Sequence, residues 1–202
     1  DDNTGYGGLN YIVFPVLKIA RFFKPASGPD LEYGSDEIFG ITIHELAHTS
    51  HVITMNAGII QFSQVEEKIQ ESWPVAVQWH LTNIDYRARG ISLYGDENYN
   101  PSGILRRPHR FAYQNWGLPG ASDSKYTNLF INLVDDYNEL GVYFPLFGIS
   151  SVNDQVKGYT LSWIESSMLK HVYGISSLGT KLKSAKPVGI TDPMIDNLLS
   201  SY

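Results

Sequence analysis

Residues 40–51, GITIHELAHTSH, place His44, Glu45, His48 and His51 within eight positions, led in by apolar Ile41 and Ile43. His44 and His48 are four residues apart. On a helix that spacing puts them about 40° apart on one face, so both imidazoles can reach one ion. Neutral imidazole is a good zinc ligand, at about 2.0–2.1 Å. Glu45 lies between them and can take a proton from a water that such an ion polarises. The bland alternative is a solvated helix face. Apolar Ile41, Ile43, Leu46 and Ala47 around the motif weigh against it.

The run HELAHTSH resembles the active-site helix of the zincin metallopeptidases. The resemblance implies that His44 and His48 bind Zn²⁺, that Glu45 is the general base, and that the substrate is a peptide or protein. A third ligand is then required. The metzincin pattern would put glycine and histidine where this chain has His51 and Thr54, so it does not apply. His51 shares the face of His44 and His48 but lies about a turn further along. It is expected to be a residue packed behind the ligands, a cleft-wall residue or a helix-terminal histidine favoured by the dipole. The gluzincin pattern takes a glutamate from the next helix, and ESWPVAVQWH, 71–80, resembles that segment. Glu71, with Trp73, Val75 and Val77 nearby, is the expected third ligand. Glu66 and Glu67, in the polar run SQVEEK, read as a solvated face.

Zincins also use a tyrosine or histidine from the C-terminal lobe to stabilise the developing oxyanion. The resemblance leaves Tyr126, Tyr137, Tyr159 and His171 as candidates among 13 tyrosines and 6 histidines. Each taken alone reads as a core or surface aromatic. Asp135 and Asp136 would suit orientation of a ligand histidine through its far nitrogen, although decoration of a helix is the simpler reading.

The elements that must position these groups follow from local signals. The motif helix is expected over about 36–55, capped by Ser35 or Asp36 and stopped by Asn56-Ala57-Gly58. A second helical stretch covers about 63–90, with Ser63 and Glu66 matching a capping box. Pro74 either kinks it or opens a new helix near Ser72. If one helix runs through, Glu71 shares a face with Glu67 and Val75, and Glu67 competes as ligand. Residues 11–23 are rich in β-branched and aromatic types, and Pro15 restricts them to an edge strand. Residues 91–125 are loop-like. Helices are expected over 126–140, over 158–173 behind Thr160, and over 191–201 behind Thr191 with Pro193 in the first turn. The expected fold class is α+β and mainly helical. It is zincin-like, with a small N-terminal β portion and a helical C-terminal lobe. One catalytic domain is expected over 1–202, residues 1–58 carrying the edge strand and the motif helix and 59–202 carrying the third ligand.

At 202 residues, 43% hydrophobic and 13% aromatic, the chain can build a sizeable core. The 18% of charged residues is below the average of about 25% and argues against disorder. A net charge of −6, with one small basic cluster at Arg106, Arg107 and Arg110, argues against a nucleic-acid partner. No cysteine is present, which excludes thiolate ligands, disulfides and a cysteine nucleophile. No apolar run is long enough to span a membrane. The chain begins at Asp1, and only 43 residues precede His44, few for a zincin upper lobe. Both features fit a processed piece of a longer precursor, with a secreted or bacterial-surface location favoured. The rival function is a peptidase-like fold that binds without cleaving, such as a glycan-recognition module using Trp73, Trp79, Trp116 and Trp163. An intact Glu45 argues against it.

Overall fold

The motif run does form a helix. In the computed structural model the described residues are 6–8, 16–19, 22–23, 31–32, 35–55, 62–89, 125–136, 138, 140–141, 143–144, 148–149 and 152–202. Helix α1 spans Ser35–Met55. Helix α2 spans Glu67–Ala88 and continues through Pro74, so no new helix opens at Ser72. A proline inside a helix removes one backbone bond and costs roughly 3 kcal/mol. Here Pro74 is buried between Trp73 and Val75, and apolar packing offsets that loss. The start of α2 differs from the Ser63 capping box. The Glu66 carbonyl accepts from the N–H groups of Ile69 and Gln70 at 2.8 and 3.1 Å. The Glu66 carboxylate is spent elsewhere, accepting from the Ile175 N–H at 3.0 Å.

Helices α1 and α2 pack against each other and run antiparallel. Passing up α1, His44 meets Gln78 and Glu71, His48 meets Glu71, and His51 stacks edge-on against Phe62, ahead of α2. Along α2, Ile69, Trp73, Ala76 and Trp79 recur at helical spacing and enter the core. Glu71 and Gln78, seven apart, share another face two turns in length, the one turned to the α1 histidines.

The segment expected as a helix over 126–140 is mostly not one. Among its described residues only α3, Ile131–Val134, is helical. The reason is tertiary. Ser72 of α2 bonds the Thr127 hydroxyl at 2.6 Å, accepts from the Thr127 N–H at 3.0 Å and donates to the Lys125 carbonyl at 3.2 Å. That clasp holds 125–127 against α2 in a non-helical path. Leu129, Phe130, Ile131 and Leu133 are still fully buried. Tyr137 lies outside the described residues.

The C-terminal part is built from short helices. Thr160 caps the next turn as expected, accepting from the Trp163 N–H at 3.2 Å. Helix α4, Leu161–Trp163, then widens to a π-helical turn over Ile164–Met168 and tightens to a 3₁₀ turn over Leu169–His171. Helices α5, Ile175–Ser184, and α6, Asp192–Leu199, follow. Between them Gly189 has φ 89° and the Ile190 N–H returns to the Pro187 carbonyl at 3.1 Å, a turn that demands glycine at its third position. Side chains from α1, α2, α3 and this C-terminal part form one continuous core. Within it Trp73 and Phe130 pack edge to face at 5.8 Å, a geometry worth about 0.5–1.5 kcal/mol beyond the area buried.

The zincin-like N-terminal β portion is not supported. Strand β1, Tyr6–Gly8, pairs antiparallel with β2, Val16–Lys18, and β3, Phe22–Phe23, with β4, Leu31–Glu32. These are ladders of two or three residues, too short to make a lobe. Strands β5, Tyr143–Phe144, and β6, Gly148–Ile149, form a third. The expected edge strand over 11–23 is thus divided between β2 and β3, and Pro15 lies outside the described residues. The β1–β2 ladder lies beside α1. The described residues make a mainly helical fold, and none of their helices is long and apolar enough to cross a membrane.

Candidate metal centre

Helical spacing alone brings His44 and His48 together. Their rings meet edge-on with centroids 5.0 Å apart. The packing of α2 on α1 then adds Glu71. Its Oε2 is 3.6 Å from His44 Nε2 and 3.3 Å from His48 Nε2. One ligand atom from each of the three side chains lies within 4.8 Å of the others, and among the described residues this is the one such cluster of histidine and carboxylate groups. All three side chains are half-buried. Glu45 is also half-buried and stands outside the cluster, next to its two histidines on the helix.

The donor set and its spacing fit a divalent ion. Atoms bound at about 2.0–2.2 Å around a tetrahedral centre lie about 3.3–3.6 Å from one another. The two imidazole–carboxylate distances fall in that range. They are longer than a good N–H···O hydrogen bond, about 2.7–3.2 Å, so the carboxylate stands off from both rings instead of bonding closely to either. Burial works against the Glu71 charge, but the two imidazoles beside it, His44 and His48, outweigh that and lower its pKa to about 2. Glu71 therefore meets a cation already ionised at neutral pH.

The far nitrogen of His44 is held by a residue that the sequence reading did not single out. His44 Nδ1 lies 3.2 Å from Gln78 Oε1, and Gln78 is buried. Neither Asp135 nor Asp136 fills that position. Asp135 terminates α3, and Asp136 is exposed. A glutamine seven residues beyond Glu71 carries no motif signal, and its partner is visible only once the two helices are packed.

The competing carboxylates fall away. Glu67 is exposed at the first position of α2, and Glu66 caps α5. His51 is fully buried outside the cluster, with neither ring nitrogen hydrogen-bonded. Burial, and then the neighbouring His48, lower its pKa to about 3, so it stays neutral as an apolar partner of Phe62. It is thus neither the cleft-wall residue nor the dipole-stabilised cation anticipated.

The oxyanion candidates separate in the same way. The Tyr126 ring is 6.2 Å from that of His44, brought there by the Ser72–Thr127 clasp next door. Tyr159 is buried and donates its hydroxyl to the Leu182 carbonyl at 2.8 Å, with its pKa raised to about 12 by burial and by Asp192. His171 is exposed at the end of the 3₁₀ turn. An apolar cavity of about 390 Å³ lies on another flank of α1, lined by Ile43, Ala47, Trp73, Val77 and Leu161 and edged by Glu165, which Ser50 hydrogen-bonds. None of the three clustered side chains lines it. Trp73 and Trp79 are core residues and offer no stacking platform for a glycan. Trp163 is half-buried, and Trp116 lies outside the described residues, as do Arg106, Arg107 and Arg110.

No family model matches the chain, and no curated protein or solved structure gives a significant match.

Proposed function

We propose that this chain is a zinc-dependent peptidase with a gluzincin-like site. In this reading His44, His48 and Glu71 hold Zn²⁺, and Glu45 is the general base. The observation that carries it is the convergence of two imidazole nitrogens and an ionised carboxylate from two packed helices, with both imidazole–carboxylate separations in the range for a tetrahedral ion. A bound zinc ion would supply Lewis-acid polarisation of the attacking water and of the scissile carbonyl. Glu45 accepts a proton from the water as its oxygen bonds to the carbonyl carbon. The same carboxyl then passes that proton to the amide nitrogen as the C–N bond breaks, leaving a carboxylic acid and an amine, between which the remaining water proton redistributes. Tyr126 is the candidate donor toward the negative charge that develops on the carbonyl oxygen, supported by its place beside His44. An extended peptide lying along the ladder beside α1 is the binding mode we infer.

Elemental analysis and a peptide-library digest test the reading together. Protein purified without added metal should carry about one zinc per chain and cleave peptides, and chelation should stop it. Absence of zinc, with no uptake on titration, overturns the metal centre. Zinc with hydrolysis of esters but not peptides overturns the substrate class alone.

A further inference from the structure

We propose that Gln78 is the positioning residue of the centre, and that it does with a neutral amide what a carboxylate would otherwise do. The proposal rests on the metal reading above. Gln78 Oε1 lies 3.2 Å from His44 Nδ1, and the Gln78 side chain is buried. An amide oxygen only accepts. His44 therefore carries its proton on Nδ1, and its Nε2 presents a lone pair toward the Glu71 carboxylate and the space it shares with His48.

Two features make this more than an incidental contact. First, Gln78 and Glu71 lie seven residues apart on one face of α2, so one helix supplies both a ligand and the group that orients another ligand. A slip of α2 by one turn against α1 would lose both at once. Second, an amide adds no charge. Two neutral imidazoles and one carboxylate leave a divalent ion with a net charge of about +1, which a carboxylate at position 78 would cancel. The glutamine thus orients His44 without making it more basic, and the bound ion keeps more of its charge for polarising what it touches.

The test compares zinc affinity and His44 tautomer in the wild type, Gln78→Leu, Gln78→Met and Gln78→Glu. Affinity is read by competition with a chromophoric chelator, using zinc alone. The tautomer is read from the ring nitrogen shifts of metal-free protein by NMR. Gln78→Leu and Gln78→Met should bind zinc about 10–100-fold more weakly and lose the single Nδ1–H form of His44. Gln78→Glu should restore that form and bind zinc at least as tightly as the wild type. The methionine variant, close in volume to glutamine, separates lost positioning from lost packing. Unchanged zinc affinity and an unchanged tautomer in both apolar variants overturn the proposal. If instead the wild type takes no zinc while His44 still holds its proton on Nδ1 through Gln78, the metal reading fails and the positioning contact stands.

Discussion

The α1–α2 pair and the C-terminal helices are both packed into one core, yet they are held by different means. In α5 and α6 the interior is aliphatic: Leu178, Leu182, Ile195, Leu198 and Leu199. Polar work there is at the edges, where Ser177 caps α5 and Lys183 and Lys186 pair with Asp196 and Asp192. In the α1–α2 pair the interface itself is polar, with two histidines, a glutamate and a glutamine turned inward. Inward polar groups cost stability unless they are partnered. The C-terminal helices therefore serve as a buttress, and the pair as the place where a polar cluster is held at a stability cost. Glu66 joins the two by tying the start of α2 to the start of α5.

The sharpest break of this contrast is at Glu71. Glu71→Ala should remove zinc binding and activity, whereas Glu67→Ala, an exposed change, should leave both within experimental error. Retained zinc affinity in Glu71→Ala would mean that the polar interface is structural. Glu45→Gln should lower the cleavage rate about 10²–10⁴-fold while zinc content stays at the wild-type value. Loss of the metal instead would make Glu45 a ligand.

Leu178→Ala probes the other region. It opens a cavity in the aliphatic interior of α5 and α6 and should cost about 2–5 kcal/mol by urea denaturation. Zinc affinity of the folded fraction should not change. A large change in affinity would show that the buttress and the site are not separable.

Acid stability separates the two regions more finely. His51 is neutral when folded and has its pKa lowered to about 3 from an ordinary 6.5. The unfolded chain therefore binds more protons between those values. The stability present above pH 6.5 falls as pH drops toward 3, by as much as about 1.4 kcal/mol per unit. Glu71 acts in a lower window. Its stabilisation is present above the ordinary pKa of 4.5 and is lost as pH falls through about 2. Denaturation of metal-free protein at pH 7 and 5 should show the His51 effect, and His51→Leu should flatten the slope. An equal slope in the variant would assign the acid sensitivity to other groups. The smallest effect is expected at Glu66→Ala, which removes the acceptor at the α5 N-terminus and should cost about 1 kcal/mol with no change in zinc affinity.

What the sequence determined by itself is whatever depends on neighbours along the chain. The i, i+4 spacing of His44 and His48 is local, and a helix satisfies it whatever the rest of the molecule does. The cap at Thr160 was legible for the same reason. Glu71 was legible only because its apolar neighbours marked a buried stretch. Packing decided the rest. The antiparallel setting of α2 on α1 selected Glu71 over Glu67, although a continuous helix put both on one face. It also paired Gln78 with His44, a contact between residues 34 positions apart that no spacing rule reports. The Ser72 clasp overrode the helical period of 126–140, because three hydrogen bonds to α2 replaced those that the helix would have made. The same clasp kept Tyr126 beside the site while the core took Tyr159. Periodicity says which face of a segment is apolar. Which polar side chains then meet across two faces is set by how the helices dock, and that depends on the whole core.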